Sequence, residues 1–309
     1  MSQQPCESRN EDELNDFDFD VVSFHLDESG DFQVTDQVRT AWKRFGFFVV
    51  RNLLDTRTVE ALDKCIHSDV IQESILHRVD RSGQRVNFSL WKNIDDGLCG
   101  AISRCEKVVE PFEHLLGGEV YHYHSKLVLK DQNGGGAFNW HQDYGYWYKN
   151  GCLSPEMGTL WIPVDHVDRT NGCLKVIPGS HLLGRVEHVL VNNQVSADPE
   201  RVDVILQRYG LVFVEMGPGD ALFFHANVLH SSDQNWSQKR RWAFLASYNP
   251  KWNNPVYKHH LPNYHPLEKL PNKHISDYLD KFGTRFEFLQ KGVERSLTYG
   301  YGKADRVEL

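Results

Sequence analysis

Gly217-Pro218-Gly219-Asp220-Ala221-Leu222-Phe223-Phe224-His225-Ala226-Asn227-Val228-Leu229-His230 decides how this chain folds. It opens with turn residues and runs through an apolar stretch too short for a helix. It then turns again at Asn227 and ends on a histidine. A short apolar run bounded by turn chemistry reads as a buried strand. The same texture begins at Val120 and recurs at Val120 to Lys130, Gly158 to Val164, Cys173 to Ile177, Leu211 to Glu215 and Trp242 to Tyr248. Many short strands separated by turns predict a mainly β chain whose antiparallel sheet closes on itself, with flanking helices.

The helices lie upstream. Thr35 caps a segment in which Val38, Ala41, Trp42 and Phe45 share one face, and Gly46 ends it. Phe47 to Val50 follows as a short strand. Asp55 opens a second helix with Val59, Leu62 and Ile66 on one side, and Ala101 to Leu116 reads as a third, stopped by Gly117-Gly118. Residues 77 to 98, with Arg81, Arg85, Trp91 and Lys92, read as a polar loop near a cleft. The insert between His181 and Leu211 is long and polar, with Arg185, His188, Asn192, Asn193, Gln194, Asp198 and Arg201. Ordered loops of that length serve as lids or binding loops, or are surface excursions. Three regions follow: an acidic, flexible segment at 1–34, a domain at 35–250, and an extension at 251–309 packed on that domain, with a helix near Ser276 to Leu289.

Composition narrows the function classes. The chain has 309 residues, 40% of them hydrophobic and 12% aromatic, enough for a substantial core. Lys plus Arg is 34 against 42 Asp plus Glu, a net charge of −8 without a basic stripe, which argues against nucleic acid as a partner. No apolar run approaches the roughly 18 residues of a membrane span, and the amino end lacks the pattern of a secretory signal. Six cysteines are scattered with no C-x-x-C pair, the usage of a reducing compartment, so the expected location is cytoplasmic. Gly134-Gly135-Gly136 lacks the lysine and hydroxyl of a phosphate loop and reads as a turn. Oligomeric state is not written in these patterns.

The chemistry concentrates at His141-Gln142-Asp143. Residues two apart on a strand or its edge face the same way, so His141 and Asp143 can reach one ion while Gln142 points away. With a second imidazole they would hold ferrous iron on one face and leave the other open for a co-substrate and oxygen. A His-x-Asp pair is weak evidence among 16 histidines, and His122 with His124, or His259 with His260, are decoys of that kind. The context is stronger: Gly134 to Trp147 reads Gly-Gly-Gly-Ala-Phe-Asn-Trp-His-Gln-Asp-Tyr-Gly-Tyr-Trp, and the distal segment ends at His230 followed by Ser231-Ser232.

These segments resemble the phytanoyl-CoA dioxygenase family of non-haem iron, 2-oxoglutarate-dependent oxygenases, and within it the chain is similar to ectoine hydroxylase. The resemblance covers roughly residues 35 to 250. It includes Trp42 to Val50 with Asn52-Leu53-Leu54, Trp140 to Asp143, Asn171 to Leu174 with Ile177 to His181, Gly217 to Asp220 with His230, and Arg241 to Asn249. It implies a double-stranded β-helix, the cupin-like jelly roll. It implies His141, Asp143 and His230 as iron ligands, with His225 the competitor to His230. Because halogenating members replace the carboxylate ligand with a small residue, Asp143 argues for hydroxylation or another oxidation without halide as ligand. The resemblance places the arginine for the far carboxylate of 2-oxoglutarate eleven residues past the distal histidine, at Arg241, and strand alternation sends Arg240 outward. Ser232, Asn139 and Lys126 occupy further co-substrate positions, Lys126 standing where the pattern has arginine. Trp161 walls the cofactor cavity or belongs to the core.

Substrate contacts are read less directly. Tyr144, Tyr146 and Trp147 follow Asp143 as aromatic wall or core residues, and Arg85, Lys92, His188 and Gln194 are polar candidates. The expected activity is oxygen-dependent hydroxylation of an unactivated C–H bond of a small molecule, with release of succinate and carbon dioxide. The absence of a strong basic patch favours a free metabolite over a CoA ester. Desaturation or cyclisation at the same centre, and a non-catalytic cupin-like metal-binding protein, remain alternatives.

Overall fold

The computed structural model describes residues 17–80, 82–94, 96–191 and 194–282. The acidic stretch up to residue 16, Arg81, Asn192, Asn193 and the part of the expected terminal helix beyond Phe282 lie outside them.

The chain enters through β1 (Ser23–His25) and α1 (Asp36–Phe45). Thr35 Oγ1 accepts the Val38 amide, and Gly46 ends the helix at φ 82°. Glycine is needed there for space as well as for φ. A Cβ would lie 2.5 Å from His181 Nδ1 and 2.6 Å from Val228 Cγ2. Gly46→Ala is therefore expected to lose about 2–3 kcal/mol of unfolding free energy, from strain plus overpacking, measured by urea titration.

After β2 (Phe47–Arg51) come α2 (Thr56–Ile66), capped by Asp55, and α3 (Asp69–Ser74). The expected polar loop at 77–98 is instead a hairpin of β3 (Leu76–Val79) and β4 (Arg85–Trp91), in which Val86, Phe88 and Leu90 alternate inward between polar residues. The expected single helix at 101–116 is two, α4 (Leu98–Arg104) and α5 (Glu106–Leu116). Cys105 between them is extended, because Leu270 from the far end of the chain bonds the Arg104 carbonyl and the Glu106 amide.

The remaining strands fall within about two residues of their expected bounds: β5 (Val120–Lys130), β7 (Gly158–Pro163), β8 (Leu174–Val176), β11 (Val212–Val214), β12 (Ala221–His225) and β14 (Arg241–Pro250). Between them lie β6 (Phe138–His141), α6 (Asp143–Trp147) and β13 (His230–Ser232). The long insert has its own structure: a hairpin of β9 (His188–Val191) and β10 (Gln194–Ala197), then α7 (Pro199–Tyr209), with Asp198 as cap and Pro199 in the first turn. The last described element is α8 (His274–Phe282).

The strands do not close into the expected jelly roll. They form an open eight-stranded sheet, ordered β1-β2-β12-β7-β14-β5-β4-β3, an open four-stranded sheet, β11-β8-β13-β6, and the β9–β10 pair. No ladder among the described residues joins the edges of one sheet to the other. At the β6 edge the backbone is occupied by one side chain: the Asn139 amide donates to Gln194 Oε1, and Gln194 Nε2 donates to the Ala137 carbonyl. With its helices, the chain is mixed α/β rather than mainly β.

Alternation along the strands sorts the two faces of the large sheet. Phe48, Leu160, Ile162, Phe223, Phe244 and Tyr248 pack with the helices in the main core, joined by Ile275, Tyr278 and Leu279 of α8. Thr159, Trp161, Phe224, Lys126, Val128, Arg241 and Leu245 face the other way, into a cavity whose opposite wall comes from β6, β8 and β13. A bulge opposite Ser247/Tyr248 shifts β5, so that Tyr121 and Tyr123 join the cavity-side cluster. The site therefore sits between two sheets and is backed by a helix-covered core.

Candidate metal centre

His141 ends β6, and His230 opens β13 directly opposite it in the antiparallel pair. Their ring centroids are 4.1 Å apart. Gln142 is extended, and Asp143 begins α6, so the side chains at 141 and 143 still turn the same way although Asp143 is helical rather than part of a strand. Asp143 Oδ1 is 4.0 Å from His141 Nε2 and 3.9 Å from His230 Nε2, and the three ligand atoms lie within 4.8 Å of one another.

The hydrogen bonds fix which atoms face the centre. His141 Nδ1 donates to the Asn139 carbonyl (2.7 Å) and His230 Nδ1 to the Val228 carbonyl (3.0 Å), which leaves both Nε2 lone pairs free. Burial, then the neighbouring His230, holds His141 well below the usual imidazole range, in its neutral, ligating form. Thr159 Oγ1 donates to Asp143 Oδ2 (3.0 Å) and stands 3.0 Å from Ser247 Oγ, so the serine donates to the threonine and Oδ1 is left for a metal. Two imidazoles and one carboxylate converging from a rigid sheet pair suit a mononuclear divalent ion such as Fe(II). Thr159→Val is expected to weaken iron binding about tenfold by freeing the carboxylate to rotate, with little change in unfolding midpoint; an anaerobic iron titration reads it.

Gln142 does point away, and it holds the turn. It is fully buried. Its Nε2 donates to the Gly184 and Asn227 carbonyls, and its Oε1 accepts from the Val186 amide. His188 belongs to this bracket and does not line the cavity: its Nε2 accepts from the Gln142 amide, and its ring presses on Gly145, where a Cβ would lie 2.1 Å away. His225 is directed elsewhere too, with Nε2 3.5 Å from Glu156 Oε2 and its ring against Trp42 and His181.

Arg241 projects from β14 into the cavity and is 1% exposed. Its Nε donates to the Gly172 carbonyl (2.9 Å), the guanidinium lies 5.2 Å from the Trp161 ring, and Nη2 is buried without a partner. Burial lowers its pKa to about 10. Arg240 faces out and pairs with Asp63 and Asp165. Ser231 and Ser232 line the cavity with buried hydroxyls that have no partner. Lys126 lies over the rings of Phe88 (5.1 Å) and Phe138 (4.9 Å), and burial lowers its pKa to about 8.

Tyr146, Trp147 and Gln194 line the cavity; the Tyr146 ring is 5.7 Å from that of His141, and Trp147 packs on Tyr123 and His124. The side chain of Asn139 turns to the β9–β10 hairpin, Tyr144 bonds the carbonyls of Cys152 and Leu153, and Arg85 is exposed on β4. Sequence reasoning missed Arg78, Phe88, His124, Thr159 and Ser247 as lining residues. Strand alternation from Trp161 would have found Thr159, and alternation from Lys126 would have found His124.

A largely buried two-histidine, one-carboxylate centre between two sheets, beside a cavity lined by the buried Arg241, fits a mononuclear metal-dependent oxygenase. The chain belongs to the phytanoyl-CoA dioxygenase (PhyH) family, whose pattern matches residues 42–243. Its triad has the ligand set of the family's Fe(II)/2-oxoglutarate-dependent oxygenases. It is similar to the L-proline trans-4-hydroxylase of Streptomyces griseoviridis, with 32% identity over 178 residues, 52% of this chain and 66% of that enzyme. It is also similar to the ectoine dioxygenase of Bordetella bronchiseptica, with 25% identity over 247 residues, 74% of this chain and 80% of that one. The crystal structure of apo EctD from S. alaskensis shares the fold at a TM-score of 0.66 and 21% identity, covering 81% of this chain and 91% of that one. No helix among the described residues is long and apolar enough to cross a membrane.

Proposed function

We propose that this chain hydroxylates an unactivated C–H bond of a free small metabolite, with His141, Asp143 and His230 holding Fe(II) and Arg241 and Ser232 holding the far carboxylate of 2-oxoglutarate. The observation that carries the reading is Arg241: a wholly buried guanidinium with one nitrogen unpartnered, in the same cavity as the triad and two unpartnered serine hydroxyls. A buried cation with open donors calls for an anion, and arginine's planar fork matches a carboxylate. Bound iron with 2-oxoglutarate would supply oxygen activation, coupled to oxidative decarboxylation of the co-substrate to succinate. The residues bind and orient: the triad leaves one face open, Trp161 and Phe224 wall the co-substrate end, and Tyr146 and Trp147 flank the triad on the α6 side. Lys126 reaches the same cavity from β5. The relatives' names, a proline hydroxylase and ectoine dioxygenases, favour a free metabolite over a CoA ester.

The test incubates the iron-loaded protein with 2-oxoglutarate, oxygen-18 gas and a small-metabolite extract, and reads labelled products and succinate by mass spectrometry. A product heavier by one labelled oxygen, with succinate above the substrate-free rate, supports the reading. A desaturated or cyclised product without label would overturn hydroxylation. Loss of neither iron nor 2-oxoglutarate binding on changing Arg241 would move the co-substrate site elsewhere.

A further inference from the structure

Arg241 has a second buried cation beside it. Lys130 is its direct partner in the β5–β14 ladder, and both residues are 1% exposed. Alternation puts Lys130 on the same face of β5 as Lys126 and Val128, past the end of the cavity that those two line. The turn at 134–136 lies against it, so that a Cβ on Gly135 would come within 2.8 Å of Lys130 Cβ. Burial, then the neighbouring Arg241 charge, holds the Lys130 ammonium well below its ordinary range. A lysine so placed costs the empty protein, and an apolar side chain of the same length would fill the position without that cost. What the lysine supplies is a charge-assisted hold on one backbone oxygen: its Nζ donates to the Asp233 carbonyl. Asp233 is a junction. It follows Ser232 directly, and its carboxylate accepts from Lys175 Nζ at 2.7 Å. Its carbonyl lies against Gly172, where a Cβ would come within 2.6 Å of that oxygen. Gly172 in turn gives its own carbonyl to Arg241 Nε at 2.9 Å.

We propose that Lys130 is a positioning residue for the far carboxylate of 2-oxoglutarate. It touches neither co-substrate nor metal; by fixing Asp233 it sets where Ser232 and, through Gly172, Arg241 present their donors. This rests on the co-substrate reading above and deepens it. Each link is stiff. Ser232 is joined to Asp233 by one peptide bond, and Gly172, at φ 79°, packs its Cα on the carbonyl that Lys130 holds. With Arg241 Nε tied to Gly172, Nη2 is the nitrogen left open for a ligand. A shift of that tie turns the guanidinium fork away from a carboxylate, and the fork's value lies in its direction. The metal ligands stand outside this chain of contacts: His141 is tied to the Asn139 carbonyl, His230 to the Val228 carbonyl and Asp143 to Thr159. Loss of the Lys130 ammonium should therefore loosen the far-carboxylate end of the site and leave the iron end as it is.

The test uses the full chain loaded with ferrous iron in the absence of oxygen. Two 2-oxo acids are titrated in and followed by the visible absorption of the iron complex: 2-oxoglutarate, and 2-oxobutyrate, which has the same chelating end and no far carboxylate. Lys130→Met is expected to bind 2-oxoglutarate about tenfold more weakly, with iron affinity and 2-oxobutyrate affinity unchanged. Lys130→Gln, which keeps a donor for the Asp233 carbonyl, is expected to recover part of the loss. In the Arg241→Met background, where the fork is already gone, Lys130→Met is expected to add less than about twofold. The proposal is overturned if 2-oxoglutarate binds Lys130→Met as it binds the wild type, if both 2-oxo acids weaken equally, or if the Lys130 and Arg241 effects add in full. Loss of iron binding in both Lys130 variants would make the lysine a residue of the fold and overturn it too. A wild type that forms no complex with 2-oxoglutarate would overturn the co-substrate reading itself, and this proposal with it.

Discussion

Asp143→Ala should leave a folded protein that no longer holds iron at the concentrations used for turnover. The carboxylate is the only anionic group of the triad, and its Oδ1 stands about equally far from the two imidazole nitrogens, so its loss removes both a ligand and the charge that offsets the metal. Loss of outer partners alone costs about 10–100-fold in metal affinity, so loss of the ligand itself should exceed about 100-fold, and turnover should fall with it. The fold has little at stake. The Asp143 side chain is 19% exposed and accepts a side-chain hydrogen bond from Thr159, so the unfolding free energy should change by about 1 kcal/mol or less. Anaerobic iron titration, succinate release and a denaturant curve on the same sample separate the two effects. Iron binding at wild-type strength would remove Asp143 from the centre, and a large stability loss would make its role structural.

What could be read from residues alone follows from how local the causes are. His141 and Asp143 share a direction because one extended residue separates them, which any strand or strand end enforces. His230 was legible because a turn–strand–turn segment delivers it. Strands β2, β5, β7, β8, β11, β12 and β14 were legible because each is a short apolar run between turn residues. How the strands pair was not: whether edges meet depends on what covers them, and the β6 edge is taken by the Gln194 side chain, a contact across more than fifty residues. The same remoteness hid the helix break at Cys105, which Leu270 imposes. The β3–β4 hairpin was hidden differently: its inward Val86, Phe88 and Leu90 alternate with Arg85, Asn87 and Ser89, and polar density masked the period of two. Arg78 went unread with it. Asn139 and Ser232, each two residues from a ligand, looked alike on paper. Only Ser232 faces the cavity, because Asn139 is drawn to the β9–β10 hairpin of the insert.

Arg241→Met should nearly abolish 2-oxoglutarate binding while leaving the ligand-free protein about as stable as before. In the wild type, a guanidinium is kept in the interior with one nitrogen unsatisfied, its charge supported by one carbonyl and the Trp161 face. Such a group destabilises the empty protein and stabilises the loaded one. Methionine fills comparable space and removes the desolvation cost, but it leaves the Gly172 carbonyl without its donor, a loss of about 1 kcal/mol that roughly offsets the gain. The iron-loaded variant without co-substrate should therefore melt within a few degrees of wild type. Its affinity for 2-oxoglutarate should fall about 100-fold, since truncating one side of a buried charge pair costs about 2–5 kcal/mol. Because a ligand raises Tm only as far as it binds the native state, 2-oxoglutarate should lift the melting temperature of the wild type and not that of the variant. Arg240→Met, on the outer face, should leave 2-oxoglutarate binding untouched and cost stability through its broken pairs with Asp63 and Asp165. Equal co-substrate shifts in wild type and Arg241→Met would sink the assignment. A variant that melts far lower even without co-substrate would show that the buried arginine serves the fold before it serves the ligand.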